Sequence, residues 1–327
     1  MRIYFAPLEG LTNTAYREAH AACFGGADLY FTPFYSPSAE GLSKKEQRDL
    51  VAYGMPHRDT VPQLLCRRPA YFMTATAQLV DMGYTALNLN LGCPSGTVTS
   101  KHKGSGFLTV PDELDRFFDE VFNALSQEYP AVTLSVKTRI GYEREEEMER
   151  LLTIYNRYPI EELIVHPRLR SDLYRGTPRM ETFAYVAENS RAPVCYNGDI
   201  FSLEDYRAFT EKFPHISRVM IGRGAIATPA LPLACRGVTL EDKKERLRAM
   251  HDRILESNLR VMGEGRNLIC RMADIWNYMI FQFTDDLRVA RSLHHVSTLA
   301  EYRAAAAAIF RSYPIRQDAR FIPPQKR

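Results

Sequence analysis

Ala86-Leu87-Asn88-Leu89-Asn90-Leu91-Gly92-Cys93-Pro94 opens as a short apolar run and closes on a glycine and a proline. Runs of this kind recur along the first two-thirds of the chain, near 2–6, 29–33, 61–65, 133–138, 162–166, 193–197 and 218–222. Helix-period segments fall between most of them, at 12–23, 69–82, 111–128, 143–158, 181–189 and 202–213. Acids early in two of these, Asp112-Glu113 and Glu204-Asp205, favour helix starts. Eight strands alternating with helices imply an α/β protein with a parallel sheet, and the count implies closure into a (β/α)8 TIM barrel. Two connections, 34–60 and 92–110, lack a clean crossover helix, and long βα loops in such a barrel lie on its catalytic face.

From about 239 the pattern turns to helices alone, near 239–261, 265–283, 286–295 and 298–312. The expected organisation is a catalytic barrel over 1–238 and a small C-terminal helical domain over 239–327, ending in a loose basic tail from 315. Ile275, Trp276, Met279, Ile280 and Phe283 keep helical spacing and read as a core stripe. Residues 239–327 hold 16 Lys and Arg against 11 Asp and Glu, while the rest of the chain holds 26 against 28. That asymmetry suggests a docking surface for a polyanion. No apolar run approaches the roughly 20 residues that span a bilayer, so no membrane association is expected. Met1 to Pro7 runs straight into a strand with too short an apolar stretch for a secretory signal, which points to the cytoplasm. The six cysteines form no C-x-x-C pair, so reduced thiols and no metal site are expected.

Side chains at the C-terminal ends of barrel strands face the active site. In chain order those ends offer Pro7 to Gly10, Gln63, Asn88 and Asn90, Lys137 and Arg139, His166, Asn197 and Arg223. Asn197-Gly198-Asp199-Ile200 and Ile221-Gly222-Arg223-Gly224 follow the seventh and eighth strands, the usual phosphate position of this barrel. Lys137 inside an apolar strand calls for an anionic or polar ligand. Gly92 and Pro94 shape a tight loop that presents Cys93, whose thiol is mostly protonated at neutral pH and suits a general acid. Downstream, Ser100-Lys101-His102-Lys103-Gly104-Ser105-Gly106 reads as a mobile basic lid. Cys23 and Cys270 read as structural.

These features together resemble the tRNA-dihydrouridine synthase family. The likeness rests on seven motifs in order: Ala6-Pro7-Leu8-Glu9-Gly10, Pro62-Gln63-Leu64, Asn90-Leu91-Gly92-Cys93-Pro94, Val136-Lys137-Thr138-Arg139, Val165-His166-Pro167-Arg168, Asn197-Gly198-Asp199-Ile200 and Met220-Ile221-Gly222-Arg223-Gly224. The resemblance implies FMN bound by Pro7, Leu8, Glu9, Gln63, Lys137, His166, Asn197, Gly198, Asp199, Gly222 and Arg223. It implies Cys93 as proton donor, Asn90 as a contact to the substrate base, NADPH as reductant and tRNA as partner, with the C-terminal helices helping to hold it. Lys101 and Arg168 are further candidates for substrate binding, and no obligate protein partner is inferred.

The expected activity is therefore FMN-dependent reduction of uridine to 5,6-dihydrouridine in tRNA. Two rivals stand beside it. An FMN barrel acting on a free pyrimidine would have no use for a basic helical domain, and a silent tRNA-binding module would leave the polar strand ends unexplained.

Overall fold

In the computed structural model, residues 1–50, 59–293 and 296–323 are described. Part of the 34–60 connection, the last two residues of the helix expected over 286–295 and the end of the expected basic tail lie outside them.

Nine strand segments form one sheet: β1 (Arg2–Phe5), β2 (Leu29–Phe31), β3 (Thr60–Val61), β4 (Gln63–Leu64), β5 (Ala86–Leu91), β6 (Thr133–Gly141), β7 (Leu163–Leu169), β8 (Val194–Tyr196) and β9 (Arg218–Ile221). Their order is β3-β2-β1-β9-β8-β7-β6-β5-β4, with parallel pairing. The two ends of that order are one stretch of chain interrupted at Pro62. A proline has no N–H to give to a ladder, but the Pro62 carbonyl still accepts from the Asn88 amide at 3.0 Å. The third strand therefore serves β2 on one side and β5 on the other, and the sheet closes as the expected barrel.

Period-two geometry places Asn88 and Asn90 of β5 on one face and Leu87, Leu89 and Leu91 on the other. All of β7 is buried, as a barrel strand covered on both faces must be.

By compactness the chain divides into two units. The first comprises Met1–Pro7, Leu29–Asp199 and Pro214–Met220. Its helices are α2 (Lys44–Leu50), α3 (Pro69–Asp81), α4 (Gly96–Thr99), α5 (Pro111–Glu128), α6 (Glu147–Tyr155) and α7 (Met180–Asn189). Pro69 and Pro111 open α3 and α5 at the first turn, where a missing N–H costs nothing. Phe72, Phe107, Phe117, Phe118 and Tyr155 make successive edge contacts that weld α3, α5 and α6 together.

The second unit comprises Leu8–Asp28, Ile200–Phe213 and Ile221–Arg327. It carries α1 (Thr14–Cys23), α8 (Leu203–Lys212), α9 (Arg223–Ala227), α10 (Leu231–Cys235), α11 (Lys243–Met262), α12 (Arg266–Met279), α13 (Asp286–Leu293) and α14 (Leu299–Ser312). Its borders do not follow the 238/239 boundary, because α1 packs on α11. Arg246 Nη1 donates to the Cys23 carbonyl at 2.8 Å, and Asn13 Nδ2 donates to Asn258 Oδ1 at 3.3 Å. The expected core stripe is in place, with Ile275, Trp276, Met279 and Phe283 buried and Ile280 half-buried. Trp276 Nε1 donates to the Tyr302 hydroxyl at 2.8 Å, satisfying the one polar atom of the indole. Thr298 and Glu301 close a capping box on α14.

The tail after 314 is not loose over its described part. Arg316 N donates to the Gln282 carbonyl at 2.7 Å, and Phe321 is buried against Phe201, Tyr278 and Phe281. The apolar residues here, Ile315, Ala319, Phe321 and Ile322, follow no helix or strand period from which such docking can be read. All six cysteines are free thiols, and Cys270 is exposed rather than structural. Among the described residues no helix is long and apolar enough to cross a membrane.

At the opposite end of the strands from the polar residues, Glu162 is buried with Arg218 Nε at 3.4 Å. Burial pushes its carboxyl up to about 7, although Arg218 pulls the other way. The folded state thus holds the proton over a range where the unfolded chain has released it. Stability should fall as pH rises from about 4.5 to about 7 and then level off. Glu162→Gln should flatten that slope and exceed the parent by about 3 kcal/mol at pH 7.5. Urea unfolding of both proteins across this range checks it, and parallel curves would show that the carboxyl is not the cause.

Candidate functional site

In the first unit the polar strand ends are joined by side-chain amides. Asn90 Nδ2 donates to Gln63 Oε1 at 2.7 Å, Gln63 Nε2 to Asn88 Oδ1 at 2.7 Å, and Asn88 Nδ2 to Ser135 Oγ at 2.8 Å. Gln63 and Asn88 are wholly buried, so this ladder supplies the partners that buried amides require. Each end of the Gln63 amide keeps one further site, a hydrogen on Nε2 and a lone pair on Oε1.

Asn90 does more than the sequence suggests. Its Oδ1 accepts from the Gly92 amide at 3.0 Å and the Cys93 amide at 2.5 Å. Arg139, also buried, donates from Nε to the Gly92 carbonyl and from Nη1 to the Leu169 carbonyl, both at 2.7 Å. The Cys93 carbonyl accepts from the Ser105 amide at 3.0 Å and hydroxyl at 2.9 Å. Cys93 is therefore gripped through its backbone while its side chain stays half-buried. The Ser105 contacts also correct the reading of the 100–106 loop as a mobile lid. Residues 104–109 form a buried 3-10 turn, and a Cβ on Gly104 would meet the Cys93 carbonyl at 2.7 Å.

Lys137 pairs in register with Asn90 on the neighbouring strand. Burial, with the Arg139 guanidinium close by, pushes its ammonium down to about 8. The side chain is half-buried, and among the described residues no hydrogen bond or ion pair holds its Nζ, which leaves it open to a polar ligand. His166 sits opposite Arg139 in the β6–β7 register, with Arg168 Nη1 at 3.3 Å from its Nε2.

Arg168 is 1% exposed and committed. Nη1 and Nη2 grip Asp199 at 2.8 and 2.6 Å, Nη2 also reaches the Gly176 carbonyl at 2.7 Å, and Nε the Arg175 carbonyl at 3.2 Å. The side chain expected to meet substrate and the acid expected to meet cofactor thus meet each other. Asn197 Nδ2 donates to the Met220 carbonyl at 2.8 Å. The glycine after it answers first to packing, since a Cβ on Gly198 would fall 2.0 Å from the Tyr196 hydroxyl. Pro7 is half-buried at the end of β1, and Lys101 is exposed.

The second unit holds Leu8, Glu9, Gly222 and Arg223. Leu8 N donates to Thr12 Oγ1 at 2.8 Å and its carbonyl accepts from the Thr12 amide at 3.1 Å, closing a turn with Gly10 at φ 77° and Glu9 exposed at its tip. Gly222 precedes α9, a helix of only five residues. The Arg223 guanidinium lies over the Phe201 and Phe321 rings at 5.2 and 5.4 Å. A Cβ on Gly224 would fall 2.1 Å from the Ile200 carbonyl, so this glycine too is required by packing.

Sequence reasoning left Asn88, Ser135 and Arg139 without roles. Asn88 and Arg139 each stand two residues from a chosen residue, Asn90 and Lys137, and on a strand that spacing means the same face. Ser135 likewise stands two residues before Lys137 on the same strand.

A closed parallel barrel whose strand ends carry a hydrogen-bonded polar array around a gripped cysteine loop is built as a (β/α)8-barrel enzyme. A family model described as "Dihydrouridine synthase (Dus)" matches residues 4–306, and the chain belongs to this family. It is similar to the tRNA-dihydrouridine(16) synthase of Pseudomonas syringae pv. tomato, 29% identical over 240 residues, covering 71% of this chain and 73% of that one. It is also similar to tRNA-dihydrouridine synthase B of Pasteurella multocida, 25% identical over 231 residues, covering 70% and 67%. Among solved structures, histamine dehydrogenase from Rhizobium sp. 4-9 superposes with a TM-score of 0.54 at 11% identity, over 77% of this chain and 49% of that one. The chain spans about half the length of that structure, and the likeness is one of fold.

Proposed function

We propose that this protein reduces the C5=C6 bond of a uridine in cytoplasmic tRNA, giving 5,6-dihydrouridine, with FMN as cofactor and NADPH as reductant. The observation that carries the reading is the grip on Cys93 at a polar barrel mouth, in a chain of this family. Bound FMN supplies a hydride for C6. Lys137 would hold the electron-rich edge of the flavin ring, with His166 and the Gln63 amide beside it. An unpartnered ammonium pushed down to about 8 fits an acceptor of that kind, because the contact restores the proton that burial disfavours. Asn197, Gly198 and Asp199, together with Pro7, Leu8, Glu9, Gly222 and Arg223, are the remaining cofactor residues of this reading. Arg168 would act through Asp199, holding that carboxylate in place.

The Cys93 thiol gives its proton to C5 on the face of the base away from the hydride, and the thiolate regains a proton from solvent. Asn90 and Arg139 position the thiol by fixing the backbone on either side of Gly92. The uridine must leave its stack to reach such a site. A barrel over 1–238 would do the chemistry, and the basic segment 239–327, with Lys101 on the barrel, would hold the polyanion. Truncation after 238 does not test this division, because it would strip α11 from α1. The decline of tRNA affinity with rising salt in the whole chain tests that cations hold the polyanion, and neutralising exposed basic residues of 239–327 measures that segment's share.

Purified protein should be yellow and release FMN on heating, and tRNA from a strain lacking it should lose dihydrouridine at one or more positions. A colourless protein that cannot be reconstituted with FMN overturns the assignment. Turnover of a free pyrimidine with none on tRNA would move the reading to a small-molecule reductase.

A further inference from the structure

Beside the cysteine loop, within the first unit, lies a cavity of about 480 Å³ lined by Cys66, Arg67, Arg68, Tyr71, Lys101 and Lys103, with Pro69. Four cations share this space. Arg67 alone has a carboxylate, Glu113 at 2.5 Å. Arg68 Nη1 is turned onto the Tyr71 hydroxyl at 2.8 Å and Lys103 Nζ onto Ser36 Oγ at 2.8 Å, both neutral oxygens, and Lys101 is exposed. Among the described residues Arg68, Lys101 and Lys103 therefore have no anionic partner. Unbalanced cations gathered in a concave space raise the local potential and favour an anion that can be reached from several sides. Backbone on both sides holds the cluster in place. Arg67 and Arg68 lie between β4 and α3, and Lys103 precedes the Gly104-Ser105 segment bonded to the Cys93 carbonyl.

We propose that this cavity is a phosphate subsite that takes a phosphate ester of a nucleotide. Arg68, Lys101 and Lys103 meet the oxygens, and the Tyr71 ring, with the Arg68 guanidinium 5.1 Å from its centre, offers a face to the sugar or base. Two sources carry this chemistry, the 2′-phosphate of a dinucleotide reductant and a phosphodiester of tRNA next to the reacting uridine. Which source applies rests on the reading above, but the existence of the subsite does not.

The test compares the parent with the double variant Arg68→Ala/Lys101→Ala, two exposed residues whose loss leaves the core intact. Inorganic phosphate and adenosine 2′,5′-bisphosphate should raise the parent's melting temperature, and the double variant should lose that shift. This readout needs neither flavin nor turnover, so it stands even if the protein reduces no uridine. In the flavin-loaded protein, NADPH and NADH titrations of flavin reduction are set beside unmodified-tRNA binding at fixed salt. A loss of roughly ten-fold or more in NADPH affinity, with NADH unchanged, assigns the subsite to the reductant. The same loss for tRNA with NADPH unchanged assigns it to the RNA, and losses in both assign it to both. Lys101→Arg should retain most of the affinity. If the parent shows no ligand-dependent melting shift and the folded double variant changes neither affinity by more than about two-fold, the proposal is overturned.

Discussion

Cys93→Ala should retain FMN and accept hydride from NADPH at the parental rate, yet reduce tRNA about 10²–10⁴-fold more slowly. That is the usual worth of a positioned general acid, or roughly 3–5 kcal/mol of barrier. The loop should survive the change, because Asn90, Arg139 and Ser105 hold it through backbone atoms of residues 92 and 93. Cys93→Ser should be nearly as slow, since a hydroxyl is a far weaker acid than a thiol. The decisive quantity is the single-turnover rate at which unmodified tRNA oxidises the reduced flavin. Parental rates in Cys93→Ala, with dihydrouridine formed, would assign the proton to another donor. Cys270→Ala serves as control, because an exposed thiol on α12 should be dispensable.

Arg168→Leu should destabilise the protein by about 3–5 kcal/mol, the cost of breaking a buried ion pair by removing one partner. The guanidinium is 1% exposed and Asp199 about one-fifth exposed, so water can replace the lost guanidinium contacts only in part. The Gly176 and Arg175 carbonyls also lose their donor. In the double variant Arg168→Leu/Asp199→Asn the losses should be clearly less than additive, because the unpaired charge is gone. Urea midpoints for the single and double variants measure this. If Arg168→Leu unfolds like the parent but binds tRNA poorly, the arginine is a substrate contact after all.

The barrel was legible because its signal is local. A short apolar strand, a glycine or proline, and a helix of several turns announce themselves in neighbouring positions, and eight such strands with helices between most of them permit few topologies. The Asn90–Cys93 loop was legible for the same reason, since Asn90 reaches the amide only three residues on. Pairing across distance was not. Arg168 with Asp199, Gln63 with Asn88 and Asn90, and Phe201 with Phe321 are 25 to 120 positions apart, and no periodicity records which polar ends will meet.

Distance also changed what individual residues mean. Gly198 and Gly224 also carry a packing demand that no sequence neighbour records, since a Cβ at either would strike the Tyr196 hydroxyl or the Ile200 carbonyl. Lys101 and Lys103 read as part of a basic lid, with no sign that the fold sets them beside Arg67 and Arg68 from a different strand end. By itself the sequence determined the alternation, the order of the polar strand ends and the loop that presents the thiol, because backbone propensity and side-chain period act over a few residues. Only the tertiary structure decided which of those polar groups are spent on one another and which stay open to a ligand, because a buried donor takes whichever acceptor packing brings within 3 Å.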